Sequence, residues 1–464
     1  MLFNSFIFIF AFLPVTYGVF WWLRSARHRY MWLALSGYVF YGYWDARFCL
    51  LMAFSTLVSY CAGLAFLRYQ EPRLRRLALI IPVCVDLSLL GFFKYAGFAL
   101  RSGQWLADSL GINAHLPVFD VILPVGISFY TFHTITYIVD SYRGVIRPTR
   151  NLFEFSAYVS LFSQLVAGPI VRFRQIERDL EDLGNADRGR WLLQGISFFV
   201  IGLIEKVLIA DSLANFVDPA LRSYATLSTA GVWLTMLAYS FQLYFDFCGY
   251  SDMAVGLGLM FGLRIPQNFN SPYKAQNPSD FWRRWHISLS SCLRDYLYIP
   301  LGGNRHGELA TYRNLLLTML IGGLWHGANW TFVVWGGYHG LLLTAYRMVP
   351  RLWDSLPYAA AQLLMFVLVV IGWVFFRAPD FTTAGHLLLA MFAPKPGTLP
   401  ANSGVLIGFL LVAAYLAMVG RNAFELNAQR TWTRGYQTAI AVAFGACLAV
   451  MAGGRNSPFL YFQF

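Results

Sequence analysis

Charge is what this sequence has least of. Only 12% of its 464 residues are Asp, Glu, Lys or Arg, whereas 58% are hydrophobic; soluble globular chains carry about 25% charged residues. That shortage excludes a water-soluble domain of ordinary composition. Cysteine is also scarce. The six, at positions 49, 61, 84, 248, 292 and 447, show no paired spacing, so they read as small core residues rather than disulfides or metal ligands. No repeat, linker or compositional break divides the chain, and residues 1–464 read as a single membrane domain. Strands of alternating polar and apolar residues are missing, which excludes a transmembrane β-barrel. Short catalytic signatures are missing too. Gly126-Ile127-Ser128 lacks the glycine that would close a nucleophile elbow, and no P-loop, dinucleotide-binding fingerprint or His-Glu-x-x-His occurs. Dispersed histidines without cysteine pairs argue against zinc, so neither a metal nor a bound cofactor is expected.

What is abundant is long apolar sequence. Runs near the roughly 20 residues needed to cross hydrocarbon recur at 2–23, 48–67, 77–93, 118–139, 191–210 and 359–376. Many Trp and Tyr lie beside them, as at membrane interfaces. The first run has no basic residues before it and no small-x-small site, so it reads as a span and not a cleavable leader. Arg24, Arg27 and Arg29 follow it and place the first loop in the cytosol. Basic segments at 68–76, 143–150, 172–190, 264–313, 347–351 and 421–434 continue the alternation. The net charge of +12 therefore reports topology and not nucleic-acid binding. The expected fold class is all-α integral membrane: a polytopic bundle of about ten full spans, with both termini outside.

Two segments break the alternation. Residues 151–171 and 314–346 are apolar yet flanked by basic residues at both ends, and each is too short for two crossings and a turn. Both predict re-entrant or half-spanning hairpins, which persist only when buried in protein or lining a wet cavity. Gly168-Pro169 marks the turn of the first, and Trp325-His326-Gly327 that of the second.

Ionisable residues within apolar sequence are functional candidates by default: Asp86, Lys94, His133, Glu205, Lys206, Asp246, His326 and His339. Lys94 can snorkel, Glu205 and Lys206 can pair with neighbours, and the sequence offers Asp86 no partner. His326 lies among Gly322, Gly323 and Gly327, which admit a backbone or substrate at close range. A neutral imidazole there can act as general base; the alternative is a packing histidine hydrogen-bonded across the bundle. His339, in the glycine-rich return arm, fits tight helix packing.

Residues 278–300 predict one helix at the cytosolic face, started by Pro278 and Ser279 and stopped by Pro300. Phe281, Trp285, Leu289, Cys292 and Tyr296 form one stripe, and Arg283, Ser290 and Arg294 another, with His286 between them. One reading is an interfacial amphipathic helix. The other is a cavity mouth whose arginines receive a phosphate-bearing donor while His286 points inward.

Several motifs in one order carry a family resemblance. They are Pro124-Val125-Gly126-Ile127-Ser128-Phe129-Tyr130, Leu165-Val166-Ala167-Gly168-Pro169, Tyr244-Phe245-Asp246-Phe247-Cys248-Gly249-Tyr250-Ser251-Asp252, the run 268–305, and Trp325-His326-Gly327. Together, over roughly residues 120–345, they resemble the membrane-bound O-acyltransferase family and its bacterial alginate and peptidoglycan O-acetyltransferases. The resemblance implies a bundle pierced by a central tunnel. His326 matches the family's essential histidine, and His286 matches the second histidine, after the Asp-Phe-Trp motif. It implies an acyl thioester donor on the cytosolic side, most simply acetyl-CoA, held near Asp280, Arg283, Arg284 and Arg294. His326 would then be the base, with His286 orienting the donor or steadying an oxyanion. It further implies a bacterial cytoplasmic (inner) membrane protein, with a periplasmic acetyltransferase- or esterase-like protein as acceptor or relay and with no nucleic acid as partner. D-alanyl transfer to teichoic acid, or transport without covalent chemistry, are the alternatives. His133 and Glu205-Lys206 depart from the family pattern, where a glutamine-like residue and two basic residues are commoner.

Overall fold

The structure is a computed structural model that describes residues 1–113, 115–117, 121–166, 168–185, 187–189, 191–428, 432–454 and 460. Val118, Ala167, Arg190 and Arg430, which entered the sequence reading, lie outside the described residues. The described chain is helical throughout, and its single β-type contact is an isolated bridge between Leu227 and Thr398. Helices are what this composition demands, because only they satisfy every backbone N–H and C=O within one apolar segment.

Among the described residues five helices are long and apolar enough to cross a membrane: Arg47–Arg68, Pro72–Ser109, Leu192–Arg222, Tyr358–Arg377 and Arg434–Ala452. Three shorter apolar helices, Phe8–Trp22, Phe381–Phe392 and Ser403–Met418, join them. The 77–93 run thus belongs to a 38-residue helix, about 57 Å at 1.5 Å per residue and longer than the hydrocarbon is thick. The 118–139 run gives only the 16-residue helix Ile127–Tyr142. The chain is a multi-pass membrane protein.

Two compact units are distinguished, residues 1–195 with 254–266, and residues 196–253 with 267–464. In the first, segment 151–171 is indeed broken, into the short helices Leu152–Val159 and Phe162–Leu165. Asp86, without a partner in the sequence reading, accepts hydrogen bonds from Ser55 Oγ (2.6 Å) and Thr134 Oγ1 (2.7 Å). In the second unit Lys206 pairs with Asp211 at 2.7 Å and Asp246 at 2.5 Å, all three buried. The Leu460 N–H donates to Asp246 as well, at 2.9 Å. A buried cation left unpaired would be costly, and this lysine has two counter-ions. Its role is accounted for by that pairing.

Two expectations are corrected. The 314–346 hairpin is not a pair of half-length helices: its arms are Gly307–His326 and Trp330–Met348, 20 and 19 residues long, or about 30 Å each. The first helix starts six residues before Arg313, whereas the second ends one residue beyond Arg347; both side chains reach polar partners from within their helices. Charge marks where a helix meets water, not where it stops. The arms cross at Gly323 and Gly336, where a Cβ on either glycine would lie 3.0 to 3.1 Å from the Cα of the other. A Cβ on Gly323 would lie 2.2 Å from the Phe332 carbonyl oxygen, and one on Gly336 2.2 Å from that of Met319. Only glycine permits that approach. The second correction concerns residues 278–300, which form not one helix but two short α-helices and a π-helical turn. Helix Pro278–Arg284 ends at Trp285, helix Ile287–Leu293 follows, and a π-helical turn spans Arg294–Tyr298. The break is His286.

Candidate functional site

His286 has φ 43° and ψ 55°, left-handed backbone that costs a non-glycine residue roughly 1–2 kcal/mol. Cross-links to an upstream segment hold it there. The Ile287 N–H donates to the Asn268 carbonyl at 2.8 Å, and the Asn270 N–H donates to the Arg284 carbonyl at 2.9 Å. The sequence stripe survives the break, since Phe281, Trp285, Leu289 and Cys292 are all buried. What does not survive is helical continuity, because backbone pairing with 268–270 replaces the intrahelical bonds at the one residue that matters.

The break aims the imidazole into the protein. His286 is fully buried, its Nδ1 lies 3.1 Å from Asn268 Oδ1, and its Nε2 is buried with no hydrogen-bond partner among the described residues. Phe247 meets the ring edge-on with centroids 4.7 Å apart. His326, at the last residue of its helix, stands 6.3 Å away, centroid to centroid. Its own walls are Trp325 at 4.9 Å, Trp335 at 5.0 Å and Phe376 at 5.4 Å. His326 retains 4% exposure. The structure thus brings the two candidate catalytic residues, 40 positions apart in sequence, to one aromatic-walled spot. Imidazoles in such dry surroundings exchange protons with each other or with a reactant, with little competition from water.

His339 is not part of that pair. It is fully buried, stacked on Phe281 with centroids 5.8 Å apart and an interplanar angle of 8°, and edge-on to Trp282 and Trp335. This is the packing role expected of it. His133 is buried beside Tyr158 in the first unit.

The substrate-binding candidates remain nearer the surface. Arg284 Nε bonds Asp280 Oδ1 at 2.9 Å within one helix turn, and Arg283 bonds the Ser279 carbonyl and hydroxyl. Arg294 is exposed and pairs with its neighbour Asp295 at 2.7 Å. Each cation thus has a local partner, a geometry that an incoming phosphate can displace at small cost because exposed pairs are weak. At the end of the Tyr358–Arg377 helix lies a separate polar cavity of about 300 Å³, lined by Asp218, Arg222, Tyr224, Arg377 and Thr383 among others. Arg377 follows directly on Phe376, which walls His326. One further group, Glu205, Cys248 and Asp252, places its ligand atoms within 4.8 Å of one another, away from both histidines in the sequence.

Asn268, Ser251 and Ser288 were not singled out as functional from sequence. Asn268 opens the 268–305 run and Ser251 lies in the 244–254 motif, yet no periodicity links either of them to His286. The 17- and 18-residue separations are meaningful only once the chain has folded back.

The model of the membrane-bound O-acyltransferase family matches residues 115–378. A probable alginate O-acetylase of Pseudomonas putida is 43% identical over the full length of both chains. A peptidoglycan O-acetyltransferase of Helicobacter pylori is 40% identical over 84% of this chain and 80% of its own. A teichoic acid D-alanyltransferase of Bacillus subtilis is 31% identical, over 52% of this chain and 63% of its own.

Proposed function

Because the chain belongs to the membrane-bound O-acyltransferase family and is an O-acyltransferase, we propose that it moves an acetyl group from a cytosolic thioester to an exported polysaccharide or peptidoglycan. The observation that carries this reading is the pairing of His286 and His326 inside aromatic walls. Similarity over 84 to 100% of the chain to O-acetyltransferases, against 52% for the D-alanyltransferase, favours acetyl over D-alanyl.

The donor, acetyl-CoA by its chemistry, docks its phosphates against Arg283, Arg284 and Arg294, and Asp280 holds Arg284 in place until then. Its thioester reaches the two histidines through a tunnel. The acceptor hydroxyl arrives from the other side. His326 removes the hydroxyl proton as oxygen attacks the thioester carbonyl. The C–S bond then breaks, and the departing thiolate recovers the proton from the imidazolium. The thioester and alcohol become an ester and a thiol with no net proton change. General-base help of this kind contributes about 10²- to 10⁴-fold, and fixed donors facing the oxyanion add more in a dry site. The enzyme works in the bacterial inner membrane with periplasmic termini, and a periplasmic acetyltransferase- or esterase-like protein is the acceptor or relay.

The test is His326→Ala in cells that make the polymer. Expected is normal insertion with a fall in envelope O-acetyl of about 10²-fold or more. Unchanged O-acetylation with normal protein levels would refute the role of His326.

A further inference from the structure

Asn268 is buried, and its side-chain oxygen collects three contacts. The backbone N–H of Ser288 donates to it at 3.2 Å, the Ser288 hydroxyl donates at 2.8 Å, and His286 Nδ1 lies at 3.1 Å. The Asn268 amide nitrogen donates instead to Ser251 Oγ at 3.1 Å. The orientation of an amide is ordinarily a matter of inference, but here a backbone N–H decides it. That group can only donate, so the atom it faces is the oxygen. An oxygen 3.1 Å from Nδ1 in turn requires a proton on Nδ1, because two lone pairs at that distance repel. The Ser288 hydroxyl also lies 3.4 Å from Nδ1, but its proton is engaged by the nearer Asn268 oxygen. A neutral imidazole protonated at Nδ1 carries a bare lone pair at Nε2.

We propose that Asn268 is a positioning residue that locks His286 in its Nδ1–H tautomer, so that Nε2 enters the reaction as a hydrogen-bond acceptor for a neutral O–H or N–H carried by the substrate. The proposal rests on the reading of His286 as part of the acyl-transfer site. It changes the division of labour between the histidines. A ring held this way cannot donate to a developing oxyanion unless it first gains a second proton. Stabilising that charge therefore falls to other donors, and His286 orients a reactant instead. The buried Nε2, which has no hydrogen-bond partner among the described residues, is the atom left for this purpose. The unusual backbone has the same explanation: the left-handed turn at His286 brings Nδ1 and the Ser288 N–H to one oxygen, which a continuous helix would keep apart.

Nitrogen-15 spectroscopy of histidine-labelled protein in detergent reads the tautomer directly. The chain has eight histidines, and the His286→Gln variant identifies the signal by its loss. Expected at neutral pH is a protonated Nδ1 and a bare Nε2; a proton found on Nε2 overturns the proposal. Kinetics supply the second arm. Asn268→Leu should lower kcat about 10- to 100-fold, the usual cost of removing a partner that orients a functional histidine, with KM for the thioester nearly unchanged. Asn268→Asp keeps an acceptor facing Nδ1 and should restore most of kcat. Its carboxylate should favour the imidazolium and move the acid limb of the kcat–pH profile to higher pH. Wild-type kcat and pH profile in folded Asn268→Leu would also overturn the proposal. If Asn268→Leu does not fold, the Asn268→Asp profile and the spectrum decide. The spectrum needs no turnover, so the assignment of His286 stands or falls separately from acyl transfer, which His326→Ala tests.

Discussion

His286 and His326 face each other across 6.3 Å, yet the chain delivers them by different means. His326 ends a regular 20-residue helix, and its position follows from where the Gly323–Gly336 crossing sets the hairpin. His286 sits where a helix is interrupted, with its ring and the following N–H tied to one asparagine oxygen. One histidine is placed by the packing of long rods, the other by a local hydrogen-bond cluster. The first kind of placement is sensitive to volume and the second to polarity, which is how the two can be separated.

The largest effect expected is on the rod. Gly336→Val would put a Cβ against the Met319 carbonyl, an atom with little freedom to move. Overpacking costs about 1–3 kcal/mol, and thermal unfolding in detergent should show that loss together with loss of activity. Gly404→Ala, in a helix where nothing lies within 4 Å of the new Cβ, is the control and should leave both unchanged. An unaltered melting temperature for Gly336→Val would mean that the crossing does not set the hairpin.

A smaller effect is expected at the arginines proposed to bind the donor. Arg283→Ala removes an exposed cation whose bonds are to its own helix. Exposed ion pairs are worth about 0.2–1 kcal/mol, so KM for the thioester should rise by no more than about fivefold, with kcat and stability unchanged. A change in kcat with unchanged KM would move Arg283 out of the binding role.

The last effect is expected on stability alone, at a helix cap. The Asp380 side chain caps helix Phe381–Phe392 by accepting from the Thr383 N–H at 2.7 Å. That bond holds its carboxyl below the ordinary aspartate value. The cap's stabilisation is therefore complete above the ordinary range and is lost as pH falls through the depressed value. Asp380→Ala should cost about 1 kcal/mol at neutral pH, and the difference from wild type should vanish in acid. A pH-independent difference would show that the carboxylate charge plays no part.

Much of this was legible in the residues themselves. The shortage of charge and the length of the apolar runs announced a helical membrane protein. The Trp325-His326-Gly327 and Asp280-Phe281-Trp282 motifs pointed to both histidines. The start of the hairpin was misread because Arg313 was taken as its end, although arginine is a good helix former and can reach water from within a helix. The break at His286 was hidden for the opposite reason: Phe281, Trp285 and Leu289 keep helical spacing on both sides of it, so the pattern looks continuous.

Solvent preference and helical class are properties of composition, and the choice of two candidate histidines came from short motifs; the linear chain was sufficient for these. Where Nδ1 of His286 finds its partner, and how closely two helices may approach at Gly323 and Gly336, depended on segments distant in sequence meeting in space. Hydrogen bonds and steric contacts act over a few ångströms whatever the separation along the chain, so only the folded arrangement could decide them.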